Sequence, residues 1–224
     1  MVRIRFSEAD RKLINAAVAR AEEKTSGEIA TAIIRESYDY AIYELILAVV
    51  TGFAYFLILL FFTSRLELWL QNLLWDYSVQ YLLAFYGFST FAVITAVYFL
   101  ANLTFIDRII VPARIRKRKV RERALRYFME AGVNNTRDRS GILIFISLLE
   151  RRVELLADSG INSRISPGLW QNFVDDITAG IRKNELVPAL EKAVLDCGHL
   201  LAEYFPISAD DVNELQDGIT ILEK

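Results

Sequence analysis

The chain has 224 residues and a formal net charge of −2, with 54% hydrophobic and 24% charged residues. So small a net charge supplies no global field for nucleic acid. The single cysteine, Cys197, excludes an intrachain disulfide framework, and the single histidine, His199, excludes a histidine-rich metal site. That much apolar composition beside that much charge requires segregation. Residues 43–105 are almost wholly apolar, and both flanks have ordinary globular composition.

The N-terminal piece, with Arg3, Arg5, Glu8, Asp10, Arg11 and Lys12, lacks the apolar core of a cleavable signal peptide. Ser7 and Asp10 form a capping box that opens a helix, with Ile14, Ala17, Val18 and Ala21 as its apolar face. Thr25-Ser26-Gly27 ends it, and the β-branched run from Glu28 to Arg35 reads as a strand.

The first apolar run, residues 43–63, carries one charge, Glu44, at its edge; the second, residues 79–105, carries none. Each is long enough to cross about 30 Å of hydrocarbon, and only helices or closed barrels satisfy their backbone there. A core hairpin of a soluble protein is the competing reading, but such helices rarely stay apolar on every face for so long. A transmembrane hairpin is therefore expected. Ala48 and Gly52 make one small-xxx-small pair and Ala92 and Ala96 another, and antiparallel packing is expected to set the two pairs face to face.

In the connector, residues 64–78, Leu66, Trp69, Leu70, Leu73 and Tyr77 recur at helical spacing against Glu67, Gln71, Asn72 and Asp76. This predicts a short amphipathic helix in the outer interface, with Trp69 and Trp75 at headgroup depth, or alternatively an external binding surface. After the second run come Arg108, Arg114, Arg116, Lys117, Arg118, Lys119, Arg121 and Arg123, with Glu122 the one acid from Arg114 to Arg123. By the positive-inside rule both termini are cytoplasmic, in an inner (plasma) membrane. Residues 106–123 read as a basic juxtamembrane linker, with Arg114, Arg116, Lys117, Arg118 and Lys119 at the membrane interface; anionic-lipid or phosphorylated partners are the other explanation.

The flanks, residues 1–37 and 112–224, together make about 150 residues, a comfortable size for a single domain. The first alone is too small to fold, so the two are expected to join. Val120, Ala124, Phe128 and Ala131 form a helical stripe, residues 141–148 a strand covered on both faces, and residues 153–158 its antiparallel partner. Ser166-Pro167 opens a helix with Trp170, Phe173, Val174, Ile177 and Ile181 inside. A last helix from about Val187 to Tyr204 buries Leu190, Val194, Cys197, Leu201 and Tyr204, and Asp210 to Lys224 reads as a loosely structured acidic tail. The order αβ–(hairpin)–αββαα is that of a small mixed-sheet α/β sandwich split by an inserted two-helix transmembrane hairpin.

FSEADRKLINAAVARAEEKTSGEI, RALRYFMEAGVNNTRDRSGILIFISLLERRVELLADSGI, DCGHLLAEYFP and DDVNELQDGI resemble the TPM domain family, the TLP18.3, Psb32 and MOLO-1 group, which includes bacterial membrane-anchored members. The resemblance implies a compact α/β sandwich and no assigned reaction. Family members are associated with acid phosphatase activity, divalent-cation binding, photosystem repair and receptor accessory roles. This chain departs from many relatives by carrying its hairpin inside the domain.

If the strands starting at Glu28 and Gly141 are parallel and the strand ending at Asp158 is antiparallel to them, Glu28, Asp138 and Asp158 converge at one sheet end. Carboxylates with backbone oxygens suit Ca²⁺ or Mg²⁺, and a bound ion can hold or polarise phosphate. The resemblance supports this location but supplies no ligand set residue by residue. The plainer reading is that these acids cap turns and pair with Arg137 and Arg139. No other cofactor is expected. Cys197 sits on a core stripe, and no glycine-rich phosphate loop or nucleophile elbow is present. Two functions follow. One is a non-catalytic membrane module that binds a protein partner, with or without a cation as its gate. The other is a metal-assisted phosphatase working at the Glu28, Asp138 and Asp158 end.

Overall fold

The computed structural model describes residues 6–103, 107–208, 212–215 and 218–223. Phe105, the expected end of the second apolar run, and Asp210, the expected start of the tail, lie outside the described residues, as do Arg3 and Arg5. In chain order the elements are α1 (Glu8–Glu22), β1 (Glu28–Ile34), α2 (Ala41–Phe61), α3 (Thr63–Leu73), α4 (Val79–Ala101), α5 (Asp107–Ile110) and α6 (Ala113–Glu130). There follow β2 (Gly141–Ser147), β3 (Arg152–Ala157), α7 (Ser159–Asn162), α8 (Pro167–Lys183), α9 (Leu186–Tyr204) and β4 (Ile219–Leu222). The chain forms two compact units. One runs Asp39–Ala113, and the other joins the chain ends, up to Tyr38 and from Arg114.

The second unit is a sandwich about a sheet of order β3-β2-β1-β4. β1 is parallel to β2, with Glu28 opposite Gly141, and β3 is antiparallel to β2. Strand alternation divides the core. Ile29, Ile33, Ile142, Ile144 and Ile146 point to the side filled by α1, α8 and α9, while Ala32, Ile34, Leu143 and Phe145 point to α6. The central strands bury both faces, which explains their continuous apolar sequence. Ser7 caps α1 with the expected reciprocal box to Asp10. Gly132, left-handed at φ +71°, follows the last turn of α6.

Three expectations need correction in this unit. The basic stretch is not a linker along its length: from Ala113 it is helix, held because Val120, Ala124 and Phe128 are buried against the sheet. The C-terminal tail is not loose at its end, where β4 joins the edge of β1 in parallel register, Thr31 facing Ile219 and Ile34 facing Leu222. Tyr204 is exposed, and Phe205, one residue on, is buried in its place because α9 ends there and the chain turns inward.

Cys197 is fully buried on α9, and desolvation pushes its thiol well above the ordinary range. The folded thiol therefore stays protonated where an unfolded one ionises. The stability linked to it is complete below the unfolded pKa and declines as pH rises through that value toward the folded one. Maleimide labelling of the native protein at about pH 8 is expected to be at least about a hundredfold slower than in denaturant, because the thiolate is the nucleophile. Equal rates would place Cys197 outside the core.

In the unit Asp39–Ala113, α2 and α4 are each long and apolar enough to cross a membrane, yet only 17% and 11% of their most apolar windows are buried. Ala48 and Gly52 are buried, as their spacing predicts. Their partner differs from expectation: a methyl on Gly52 would collide with Ile94 of α4, whereas Ala92 and Ala96 are exposed. The branched Ile94 fills the notch that glycine leaves, giving more dispersion contact than an alanine there. Gly52→Leu is expected to force the helices apart at a cost of about 1–3 kcal/mol, read as a lower midpoint for hairpin unfolding in detergent; an unchanged midpoint would contradict this packing.

α3 lies between the two long helices in sequence. Its Leu70 is buried with Leu82 and Tyr86, and Thr63 Oγ1 lies 2.7 Å from the Tyr86 hydroxyl. Trp69, Leu73 and Trp75 are exposed.

Candidate functional site

The parallel β1–β2 pair and antiparallel β3 bring three segments to one end of the sheet. The Glu28 N–H donates to the Ser140 carbonyl (3.2 Å), the Ser140 hydroxyl donates to the Ser26 carbonyl (2.9 Å), and the Asp158 N–H donates to the Gly141 carbonyl (2.9 Å). The turn at residues 158–160 presses on the preceding loop so closely that a Cβ on Gly160 would lie 2.7 Å from the Asp138 carbonyl oxygen and 2.6 Å from that of Arg139. Only glycine fits that approach.

The three carboxylates at this end have different occupations. Glu28 is 6% exposed and accepts hydrogen bonds from the backbone N–H groups of Glu214 (3.1 Å) and Leu215 (3.3 Å). Asp138 is about half exposed, 3.7 Å from the Arg137 guanidinium. Asp158 is 7% exposed and caps α7, its Oδ1 accepting from the Ser159 N–H (2.5 Å). Its Oδ2 is buried with no hydrogen-bond partner among the described residues, and Arg139 Nη1 stands 3.9 Å away. Arg139 holds a left-handed backbone, φ 54°, and donates from Nη1 to the Asn134 carbonyl.

Topology thus gathers the segments, but the side chains do not make a three-carboxylate donor set. Among the described residues no three His, Cys, Asp or Glu side chains group to hold a metal ion. The physical reason lies in Glu28, whose oxygens face backbone donors of the C-terminal segment. Sequence reasoning missed that segment's part in the site. Glu214 completes it, its carboxylate accepting from the Arg137 N–H at 2.8 and 3.2 Å. The signal was present in the β-branched ITIL run at Ile219–Leu222.

Another buried carboxylate lies at the opposite sheet end and was also missed. Glu150, 5% exposed, accepts from the Ser147 hydroxyl and from the Ser37 N–H (3.1 Å), and the Ser37 hydroxyl donates to Ser147 Oγ (2.9 Å). This network ties the segment after β1 to the turn after β2. Of the other sequence candidates, His199 is exposed, and Arg114, Lys117 and Arg118 are exposed on α6 while Arg116 and Lys119 are half-buried.

Residues 105–199 match the family model described as the TPM domain. The fold is similar to the NMR structure of BA42 protein from the psychrophilic bacterium Bizionia argentinensis sp. nov., with TM-score 0.57 and 17% identity over 99% of this chain and 98% of that one. No curated protein matches the chain. The family model covers the segment that builds α6, β2, β3 and most of the helical layer, and the likeness to BA42 extends to the fold.

Proposed function

We propose that the chain is an inner-membrane protein whose α2 and α4 span the bilayer, with both termini cytoplasmic, and whose TPM domain is a non-catalytic module that binds a protein partner there. One observation carries the membrane part. Ile42, Leu45, Ile46, Val49, Val50, Phe53 and Leu57 on α2 alone are each at least 45% exposed, a continuous apolar surface that water does not tolerate on a monomer. Lipid covers it in this reading. The cations after α4 support this orientation.

The non-catalytic part is supported by what the carboxylates do: Glu28 clasps the C-terminal segment, Asp158 caps α7, and Asp138 pairs with Arg137. Loop positions of this kind serve recognition when a rigid sheet presents them. A cation-gated version is favoured by the buried Asp158 Oδ2, which accepts no hydrogen bond among the described residues. Ca²⁺ or Mg²⁺ is the ion that such oxygens suit.

Two measurements on the purified full-length protein test this. Phosphate release from a generic aryl phosphate is expected to be absent with Ca²⁺, Mg²⁺, Mn²⁺ or Zn²⁺; release that disappears in Asp158→Asn would make the protein a phosphatase instead. A melting-temperature titration with each ion decides the gated version, since a ligand bound only by the folded state raises Tm. A flat response removes the cation.

A further inference from the structure

The N-terminal part of α6 carries a cationic surface that the fold leaves open. From Arg114 to Arg126 there are eight Lys and Arg residues and one acid, Glu122. Arg114, Arg118, Arg121 and Leu125 succeed one another at i, i+4, i+7 and i+11, all exposed, on a helix that buries Val120, Ala124 and Phe128 elsewhere. The nearby acids do not neutralise this face. Arg118 and Lys119 share Glu122 at 3.5 and 3.1 Å, and Arg121 reaches Glu154 at 3.3 Å, with Arg118 67% and Arg121 58% exposed. Ion pairs that open to water bind their partners weakly and are readily exchanged.

The placement also runs against the helix itself. A helix N-terminus favours acids, and α1 has Glu8 and Asp10 in its first turn; α6 has none there and begins with Arg114, Arg116 and Lys117 close to its start. A topology signal alone does not need this arrangement, because cations in a disordered linker orient a hairpin equally well. Here they stand on a helix whose other face belongs to the domain core.

We infer that this face of α6 binds anionic phospholipid headgroups, fixing the TPM domain against an acidic leaflet. Lipid is the source that the chain connectivity favours: α4 ends at Ala101 and α6 begins at Ala113, so the chain between them reaches at most about 45 Å. Clusters of four to eight cations just cytoplasmic of a span have this chemistry. The inference rests on the membrane reading above and adds a lipid class and a surface to it.

The test reconstitutes the full-length chain in liposomes of equimolar phosphatidylglycerol and phosphatidylcholine, extracts it gently and quantifies the lipid retained. Phosphatidylglycerol is expected to be enriched about tenfold at low salt and to fall toward the bulk ratio at about 0.5 M salt, where screening is nearly complete. In the variant combining Arg114→Gln, Lys117→Gln, Arg118→Gln and Arg121→Gln the enrichment is expected to vanish. A wild type at the bulk ratio in low salt overturns the inference, as does enrichment that survives in the variant or in high salt; the wild-type salt series decides alone should the variant misfold. Binding of a soluble phosphopeptide without lipid enrichment also contradicts it. A chain that never enters the liposomes defeats the membrane reading instead, so the two failures are distinct.

Discussion

Phe145→Ala is expected to destabilise the α/β domain by about 3–5 kcal/mol, a large part of the roughly 5–15 kcal/mol that such a domain commands. Phe145 is fully buried in the centre of β2, and its ring lies 6.4 Å from that of Tyr127 on α6. Around it stand Val120, Ala124, Phe128, Val133 and Leu143. Truncation leaves a cavity where α6 meets the sheet, so the helix that carries the cationic face loses its seat. Cys197 supplies the readout. It lies in the core on the other side of the same sheet, and its labelling in a urea series reports this domain and not the apolar hairpin. The labelling midpoint is expected to fall markedly. An unchanged midpoint would mean that α6 is not held by Phe145.

Glu28→Ala is expected to cost about 2–3 kcal/mol, the worth of a buried charged acceptor whose donors are left without it. The effect has a direction as well as a size. The donors are the N–H groups of Glu214 and Leu215, and β4 begins at Ile219, so amide exchange should accelerate at residues 214, 215 and 219–222 before it does in β2. Glu28→Gln keeps an acceptor oxygen and loses the charge, so it should lie between wild type and Glu28→Ala. A metal ligand would behave otherwise: Glu28→Gln would abolish a metal-induced rise in Tm and leave the metal-free protein nearly as stable as before. Exchange in the C-terminal segment that is unaffected by Glu28→Ala would refute the clasp.

Much of the fold was legible because local patterns and burial agree. Ile142, Ile144 and Ile146 alternate with Leu143 and Phe145, so both faces of β2 had to be covered. The short turn at Arg151, whose backbone is left-handed at φ 49°, made β3 antiparallel. What was not legible depends on contacts distant in sequence. β4 has four residues, and its partner segment at residues 31–34 lies nearly the whole chain away; its acidic surroundings read as solvated tail. The candidate site divides in the same way. Its location follows from strand directions, but the partners of Glu28 are backbone N–H groups, which no side-chain pattern reveals. Hairpin packing failed on one side for a related reason. Small residues mark where a helix is approached, and at Gly52 the neighbour is the bulky Ile94 rather than another small residue.

The cationic stretch shows how structure changes the meaning of a composition. As a linker it would orient the hairpin and do no more. As one face of a helix packed through Val120, Ala124 and Phe128, it is held rigidly to the core of the domain.

Protease digestion of sealed membrane vesicles of known sidedness tests the central claim most directly. In inside-out vesicles the domain built from both chain ends should be removed, leaving a protected fragment close to Asp39–Ala113; in right-side-out spheroplasts it should survive, with only the segment between α2 and α4 open to attack. Survival of the C-terminal part in inside-out vesicles, or release of the whole chain from the membrane by alkaline carbonate, would contradict the account.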